Sequence, residues 1–500
     1  TMRVSDLKQE YGLFVLAISL MTILQLGCSA QQTPARQGRE TLEEAAQAMG
    51  GLEALRAIEN ITRQGTAQTS SLRHGRLSTE SAWVQPVRPF NQTIDFTVPR
   101  ELTFRISGGV VSMADGVKGG YRDIAGRTLT SLDANQLGEY RTHWNRDIAR
   151  FLVHALGEES GIEGVSKSVL EGQPQQVVQV RYIDGILYRV YVQDSSHLIS
   201  KLEFTEAHPR YGDLDRERIF SDYQEVGNLK LPFSVVYKDM GEVTQVRKWS
   251  EISVNDELQE YLFEIPEAIR ESVHSLAQIE AIQMTPTELA PGVYFGETKG
   301  MNSMWVEFED FVVVVEGPNN EKQSLETLRQ IRETIGEKPI RYLVTTHHHE
   351  DHNGGIRTYA AQGTTIITHL KSEPAIREHL AYPFTLEPDR FAQSRQEPQI
   401  ESITDRKTIS DGTRNLEVVH VPTAHADSNL LIYLPRERVV FESDMFTILR
   451  GETGTPMAPA PAKALYDAVT QAGWKVNQIV PGHGRLLQWS ELVAGLEASE

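Results

Sequence analysis

The sequence predicts two folded regions of different class: a sheet-rich α+β region over residues 41–266, followed by an α/β region over residues 285–500. Three observations lead to this prediction. The chain has 500 residues, which exceeds the length of one ordinary domain. Apolar residues recur with period two through most of the first region, as they do in half-buried strands. In the second region short apolar runs alternate with helical patterns, as in sheets flanked by helices.

The composition excludes several classes of protein. Hydrophobic residues make up 40% of the chain and charged residues 23%, which is typical of globular proteins rather than disordered or collagen-like ones. The net charge of -19 argues against nucleic acid as a partner, because an acidic surface repels phosphate backbones. The single cysteine excludes a disulfide scaffold and a cysteine-rich zinc site.

That cysteine, Cys28, follows the longest apolar run of the chain. Tyr11–Leu26 carries no charge and has the length of a signal-peptide core rather than of a membrane span. We therefore predict a signal peptide over residues 1–27 and a flexible polar tether over residues 28–40. The predicted location is outside the cytoplasm, either in the periplasm or attached to a membrane of a bacterial envelope.

A glycine directly before Cys28 resembles the cleavage box of bacterial lipoproteins, and this resemblance implies membrane attachment through a lipidated Cys28. The sequence departs from the pattern at Gln25, where an aliphatic residue is usual. Two alternatives stay open: cleavage after Ala30 by an ordinary signal peptidase, and an uncleaved N-terminal anchor.

The first region begins with two short helical patterns within residues 41–58, separated by Gly50-Gly51. Period-two alternation then dominates. Asp184-Gly185 lies between two alternating runs and predicts a hairpin turn, and residues 144–156 predict an amphipathic helix. The region is therefore predicted to be a mostly antiparallel sheet with helices against one side.

This region resembles the periplasmic carrier and sorting proteins for lipoproteins. The resemblance lies in GGLEALRAIENITRQGT (residues 50–66), NLKLPFSVVYKDMGE (residues 228–242) and FEIP (residues 263–266). It implies a half-barrel around an apolar cavity, with a lipid or acyl group as ligand. The alternative is a domain that packs its own apolar face and binds nothing.

After a predicted linker over residues 267–284, strands alternate with helices. Open α/β sheets place their functional side chains at strand ends. We predict strands at 293–296, 304–308, 311–315, 340–345, 365–368, 416–421, 429–434, 439–441 and 478–480, and helices at 323–335, 355–362, 462–472 and after residue 487.

The densest polar cluster follows the apolar strand 340–345. It contains His347, His349, Asp351 and His352 with the spacing H-x-H-x-D-H. Imidazole and carboxylate groups are the ligands that zinc and similar divalent ions prefer. Alternate residues leaving a strand can converge on one ion, and residues at the turn into the next helix can reach a second. His348 is interpreted as a bystander.

Three later strands also end in metal-ligand residue types. These are His425 after strand 416–421, Asp444 after strand 439–441 and His483 in a glycine-flanked turn after strand 478–480. Each alone is explained as well by a loop histidine or a turn aspartate. Together with the H-x-H-x-D-H cluster, they predict a metal site. Nucleophilic catalysis by cysteine is excluded, because the only cysteine lies in the export segment.

Residues 285–500 resemble the metallo-β-lactamase superfamily, whose fold is an αββα sandwich with metals at one edge. The resemblance implies that His347, His349 and His425 bind a first metal, that Asp351, His352 and His483 bind a second, and that Asp444 bridges the two. The superfamily usually has an aspartate before glycine after its early strand. This chain has Glu316-Gly317 there, which puts the geometry around the ligands in doubt.

The ligand identities also imply a branch and a reaction. The di-iron redox branch has glutamate in place of His349, and the true zinc β-lactamases lack an aspartate at the position of Asp444. The predicted protein is thus an exported metal-dependent hydrolase with two divalent ions, zinc first, with iron and manganese as alternatives. A hydroxide shared by the ions would attack a small-molecule ester, thioester or lactone. Asp351 is the predicted catalytic residue, orienting the nucleophile and handling its proton.

Two other functions stay open. The protein could be an envelope lipoprotein that binds a lipid or acyl group, with a structural metal domain, or an iron-dependent sulfur dioxygenase, a branch that shares the H-x-H-x-D-H spacing. The stretch 380–398 interrupts the α/β pattern and predicts either a substrate lid, with Tyr382, Phe384 and Phe391 against an apolar group, or a self-packed surface loop.

Overall fold

The computed structural model describes residues 33–80, 82–97, 100–105, 110–114, 119–123, 129–131, 144–263, 282–298, 300–448 and 459–498. The predicted signal peptide, Cys28 and most of the predicted linker lie outside these residues. None of the helices in these ranges combines the length and apolar character that crossing a membrane requires.

In the part of the chain that the structure describes, the N-terminal region is a large antiparallel sheet with three helices. Its helices are α1 (Pro34–Ala48), α2 (Leu52–Arg56) and α3 (Ile148–Ala155), with a 3₁₀ turn at Glu260–Phe263. Its strands are β1 (Asn60–Leu72), β2 (Ala82–Val84), β3 (Arg88–Asp95), β4 (Arg100–Arg105), β5 (Val110–Ala114), β6 (Gly119–Asp123), β7 (Leu129–Ser131), β8 (Gly161–Leu170), β9 (Gln173–Arg181), β10 (Leu187–Gln193), β11 (Ile199–His208), β12 (Gly212–Val226), β13 (Leu229–Asp239) and β14 (Glu242–Val254).

The sheet is mostly a meander, as the period-two pattern predicted. Its order is β7-β6-β5-β4-β3-β1-β14-β13-β12-β11-β10-β9-β8, with β2 paired to β1. The hairpin at Asp184-Gly185 is confirmed, since the backbone N–H of Tyr182 donates to the carbonyl of Ile186 at 2.9 Å. The helices pack on one face of the sheet, where Leu42 of α1 and Phe151 of α3 are fully buried in a common core.

The prediction of a flexible tether over residues 28–40 is wrong from Pro34 onward, because α1 begins there. Thr33 caps the helix with its hydroxyl, which accepts from the backbone N–H of Arg36, and Pro34 occupies the first turn, where no N–H is needed. Gly38 is buried, and a Cβ there would lie 2.9 Å from a methyl group of Ile162 and 3.0 Å from one of Val178. The helix therefore belongs to the folded domain.

The C-terminal region alternates strands and helices, with every predicted element present to within a few residues. Its helices are α4 (Glu321–Thr334), α5 (Glu350–Asn353), α6 (Ile356–Ala360), α7 (Glu373–Ala381), α8 (Arg390–Gln393), α9 (Pro459–Gln471) and α10 (Trp489–Glu497). Its strands are β15 (Thr287–Ala290), β16 (Val293–Thr298), β17 (Met301–Glu307), β18 (Val312–Val315), β19 (Ile340–Val344), β20 (Thr365–His369), β21 (Gln399–Ile403), β22 (Arg406–Ser410), β23 (Asn415–His420), β24 (Leu430–Leu434), β25 (Val439–Glu442), β26 (Gln478–Pro481) and β27 (Leu487–Gln488).

These elements form an αββα sandwich, as predicted. Strands β15–β21 form one sheet and β22–β27 a second. Between the sheets lies an apolar core that includes Val313 and Ile367 from the first and Phe441 and Val480 from the second. One outer core joins the first sheet to α4, α6 and α7, and another joins the second sheet to α9 and α10. The buried strands are continuously apolar, which both faces of a covered sheet require.

Part of the stretch 380–398 contacts the N-terminal region, which neither the lid nor the self-packed surface loop had included. Tyr382 and Phe384 are buried, and the Phe384 ring lies 4.2 Å from the guanidinium carbon of Arg357. The carbonyl of Pro383 accepts from the backbone N–H of Asp213 in the N-terminal region at 2.7 Å. A Cβ on Gly212 would lie 2.0 Å from that carbonyl oxygen, so only glycine permits this approach.

Candidate metal centre

The candidate site lies where several strands of the sandwich end. Strand β19 leads into residues 345–352, β23 into His425, β25 into Asp444 and β26 into His483. Strands β25 and β26 are parallel, so their carboxyl ends meet at one edge. All seven side chains predicted as ligands are therefore brought together, and none lies elsewhere.

A first group combines three histidines with Asp444. The nitrogens of His347, His349 and His425 and a carboxylate oxygen of Asp444 all lie within 4.8 Å of one another. Nε2 of His425 is 3.0 Å and Nε2 of His347 3.5 Å from Oδ2 of Asp444. Three imidazoles and one carboxylate match the ligands of a tetrahedral divalent ion.

The second group contains Asp351, His352 and His483, whose ligand atoms also lie within 4.8 Å of one another. Asp444 contacts this group too: its Oδ2 is 2.9 Å from Nε2 of His352, and its Oδ1 is 3.4 Å from Nε2 of His483. Oδ2 of Asp351 is 3.6 Å from Nε2 of both histidines. Asp444 therefore spans the two groups, the position predicted for the bridging residue.

The histidines are oriented by hydrogen bonds from their other ring nitrogens. His347 donates from Nδ1 to the hydroxyl of Thr346 at 3.0 Å, and that hydroxyl donates to Oε1 of Glu316. His352 donates from Nδ1 to Oε2 of Glu316 at 2.9 Å. His483 donates from Nδ1 to the carbonyl of Gly300 at 3.2 Å. In these three residues Nε2 is thereby left to face the centre, an arrangement usual for metal-binding histidines.

Glu316 orients neighbouring side chains of the site, although its extra methylene had put the geometry around the ligands in doubt. It is fully buried and accepts from Thr346, from His352 and from the hydroxyl of Ser443 at 2.7 Å. The backbone φ angles of Glu316 (63°) and Asp444 (58°) both lie in the left-handed region, which disfavours residues with side chains. Strained backbone of this kind concentrates at functional sites.

The electrostatics favour neutral imidazole at two of the ligand histidines and ionised carboxylate at both aspartates. Burial opposes the ionisation of His352 and His483, but the carboxylates that face them raise the pKa of both. Burial, together with the neighbouring histidines, lowers the pKa of His347 and His349 well below the usual value. Although burial opposes ionisation, His352 and other neighbouring histidines hold the pKa of Asp351 and Asp444 well below that of a free aspartate. Neutral imidazole and ionised carboxylate are the forms that bind metal.

Two buried nitrogens test whether these residues fit a metal ion. Nε2 of His347 and Nε2 of His425 are shielded from solvent, and no residue in the described ranges forms a hydrogen bond with either. Nε2 of His425 lies 3.0 Å from Oδ2 of Asp444, close enough for both atoms to bind one ion. A buried polar atom without a partner is costly, and a metal ion would satisfy both nitrogens. The donor set therefore fits a divalent ion.

A loop of the N-terminal region, residues 73–80, reaches this centre and was not predicted to do so. His74 contacts Oδ1 of Asp351 through Nε2 at 3.0 Å. The carbonyl of Gly75 accepts from Nε2 of His349 and from Nε2 of His348, both at 2.9 Å. His349 is thereby left to offer Nδ1 to the first group. Nδ1 of His348 contacts the hydroxyl of Ser428, which agrees with the interpretation of His348 as a bystander.

Nothing in the local sequence marks His74 and Gly75 as part of the site, because both belong to a polar connection after β1. Both nitrogens of His74 face acceptors, Nδ1 contacting the carbonyl of Leu72 at 2.6 Å. Burial opposes its ionisation, but the hydrogen bond to Asp351 raises the pKa of His74 above the usual value. His74 thus holds one oxygen of Asp351 and leaves the other free for the second group.

We expect His74→Ala to weaken metal binding roughly tenfold to 100-fold, the range for losing a partner that orients a ligand. Asp351 would lose the contact that fixes its carboxylate. The measurement is metal affinity by chelator competition, with kcat and KM determined on the loaded protein. His197→Ala, which removes a half-exposed histidine paired with Glu44, is the matched control. Equal metal affinity in the two variants would contradict the expectation.

Comparison with known proteins identifies the C-terminal region. Residues 300–483 match the family model described as "Metallo-beta-lactamase superfamily". Among solved structures, the chain is similar to a metallo-beta-lactamase from Pontibacter korlensis (20% identity, TM-score 0.35, 43% of this chain and 98% of that one). It is also similar to the metallo-beta-lactamase FIM-1 from Pseudomonas aeruginosa in its mono-zinc form (18% identity, TM-score 0.34, 44% and 95%).

A search of curated proteins found no match. The family match does not include residues 41–266, so the resemblance of that region to lipoprotein carriers stays a prediction. The αββα sandwich, the convergence of seven histidine and aspartate side chains at its edge, and the match over residues 300–483 lead to one conclusion. The C-terminal region of this chain is a member of the metallo-β-lactamase superfamily.

Proposed function

We propose that the protein is a metal-dependent hydrolase that uses two divalent ions, zinc first among the candidates, with iron and manganese as alternatives. The observation that carries the proposal is Asp444, whose two carboxylate oxygens contact histidines of both groups. In this proposal His347, His349 and His425 hold the first ion and Asp351, His352 and His483 the second. A purely structural zinc site has four protein ligands around one ion and needs no bridging residue.

Divalent ions bound there would supply Lewis acidity, which polarises a carbonyl group and lowers the pKa of water. The chain's own residues then have separate tasks. Glu316 and Gly75 keep the ligand histidines in the tautomers that metal binding requires. Asp351 presents one carboxylate oxygen to the second group, where it can orient an attacking water and accept its proton, while His74 holds the other.

For the substrate we propose a small ester, thioester or lactone. The presence of Asp444, where the resemblance implies that true zinc β-lactamases lack an aspartate, supports this choice over β-lactams. The proposal also includes two domains, predicted at residues 41–266 and 285–500, the first of which α1 extends to Pro34. Export, lipidation of Cys28 and a lipid or acyl ligand of the N-terminal region stay proposals as well, the first supported by the uncharged stretch Tyr11–Leu26.

The test is metal analysis of the purified full-length protein together with turnover of ester, thioester, lactone and sulfate-ester substrates. We expect close to two ions per chain and hydrolysis of one of the first three classes, lost on chelation and regained when metal is restored. Full metal content without turnover of any ester, thioester or lactone would overturn the hydrolase. Bound iron with thiol-dependent oxygen uptake would instead favour the sulfur dioxygenase.

A further inference from the structure

A second candidate site lies in the N-terminal region, on the sheet face that also carries the helices. A small cavity there has a volume of about 30 Å³. Neighbouring strands supply its wall: Arg218 lies opposite Tyr237, and Val235 lies opposite both Phe220 and Arg247. Four arginines line it, namely Arg63, Arg146, Arg218 and Arg247. So many cations in one cavity are unexpected in a chain whose net charge is -19.

Two of these arginines have carboxylate partners. Arg63 pairs with Asp147 through two hydrogen bonds of 2.7 and 2.8 Å. Arg146 pairs with Asp184 at 3.0 Å and with Glu206 at 2.7 Å. Buried charges are normally matched in this way, because an unpaired ion loses its hydration without compensation.

Arg218 and Arg247 differ, since neither pairs with a carboxylate within the described ranges. Both are nine-tenths buried, each with 8% of its surface exposed. The only side-chain hydrogen bond of Arg247 that the described residues supply goes to the amide oxygen of Gln245, at 2.8 Å. Burial, with the repulsion of Arg146, lowers the pKa of Arg218. Burying these two charges without a carboxylate partner is unfavourable for folding, so another interaction must compensate for it.

The two guanidinium groups lie over the faces of aromatic rings. The guanidinium carbon of Arg218 is 5.3 Å from the ring centre of Tyr237, and that of Arg247 is 4.8 Å from the ring centres of Tyr237 and Phe90. Ring contacts satisfy the flat faces of a guanidinium group but not the N–H donors at its edge. Those edge donors are the groups that bind carboxylate or phosphate with two parallel hydrogen bonds.

We propose that this cavity is a binding site for a small anion, whose carboxylate or phosphate group is held by Arg218 and Arg247. Trp249, Phe220 and Val235 also line the cavity and surround the bound group with apolar surface. The site is separate from the candidate metal centre, and the proposal does not depend on the hydrolase activity. It differs from a purely apolar lipid cavity in requiring the negative charge.

The test measures binding to the full-length protein by calorimetry and by the shift of the thermal midpoint. The probes are acetate, ethanol and inorganic phosphate, because ethanol is similar to acetate in size but carries no charge. We expect acetate and phosphate to bind and ethanol not to bind. Arg218→Met and Arg247→Met should each weaken the binding of both anions at least about tenfold, the loss expected for a charge-assisted hydrogen bond. Arg189→Met, at a half-exposed arginine of the same sheet, is the control and should bind as the wild type does.

The ligand-free thermal midpoints supply a second readout. Removing an unpaired buried charge should leave the midpoint of Arg218→Met unchanged or raise it, whereas a structural arginine would lower it. The proposal is overturned if ethanol binds as well as acetate, or if anion binding survives both substitutions, which would place it at another site such as the metal centre. It is also overturned if no probe binds and both substitutions lower the midpoint.

Discussion

Asp444→Asn is expected to remove at least one of the two metal ions and to lower kcat/KM roughly 1,000-fold. The amide keeps the size of the side chain but removes the charge that faces both groups of histidines. Metal ions contribute several kcal/mol to stabilising the transition state, and about 1.4 kcal/mol corresponds to a factor of ten. The measurements are metal content per chain and hydrolysis of the best substrate from the ester, thioester and lactone panel.

Asp467→Asn is the matched control, because Asp467 is a half-exposed aspartate of α9 whose partner is Lys463. It should keep both the metal content and the activity of the wild type. Two bound ions and full hydrolysis in Asp444→Asn would contradict the bridging role. Two bound ions with greatly reduced hydrolysis would restrict that role to catalysis.

Motifs that follow buried strands could be predicted well from the sequence. The apolar runs of β19, β25 and β26 mark strand ends, and each is followed within a few residues by histidine or aspartate. Because sheet geometry brings parallel strand ends to one edge, the seven residues could be placed together without a structure. Glu316 was singled out by the resemblance to the superfamily, as a departure from its pattern, and not by its place at a strand end.

Contacts between the two regions could not be predicted in this way. His74 and Asp351 are 277 positions apart, and the loop that carries His74 has neither periodicity nor a recognisable motif. The arginines of the N-terminal cavity were missed for a related reason. Period-two alternation shows which side chains share a face of a sheet, but it does not show whether a charged residue on that face is paired.

The helix start at the N-terminus of α1 was also missed in the sequence. Residues 33–40 are mostly polar, which suggested a tether, yet a helix begins at Pro34 with Thr33 as its cap. The apolar side of α1 begins only near Leu42, so its first turns show no apolar periodicity. The buried Gly38 allows close packing against β8 and β9, a contact that depends on tertiary structure and has no signal in the sequence.

Glu316→Gln is expected to weaken metal binding about tenfold to 100-fold, as for other residues that orient metal ligands. The carboxylate of Glu316 accepts from Thr346, Ser443 and His352, and through Thr346 it also orients His347. An amide group has one oxygen and one nitrogen, so its N–H₂ would face at least one of these donors. Each buried donor left without an acceptor lowers the free energy of unfolding by about 1–3 kcal/mol.

Glu442→Gln is the control for Glu316→Gln. It shows how much stability is lost when any buried glutamate is replaced by an amide. Glu442 is also fully buried, but its carboxyl accepts only backbone N–H groups, from Met445 at 2.9 Å and from Phe446 at 3.2 Å. Burial raises the pKa of Glu442 to about 8, so its side chain is mostly neutral at pH 7 and an amide replaces it with little change. Chelator competition and thermal unfolding at pH 7 should therefore show a large loss in Glu316→Gln and a small one in Glu442→Gln. Equal losses in the two variants would mean that Glu316 supports the fold and not the orientation of His347 and His352.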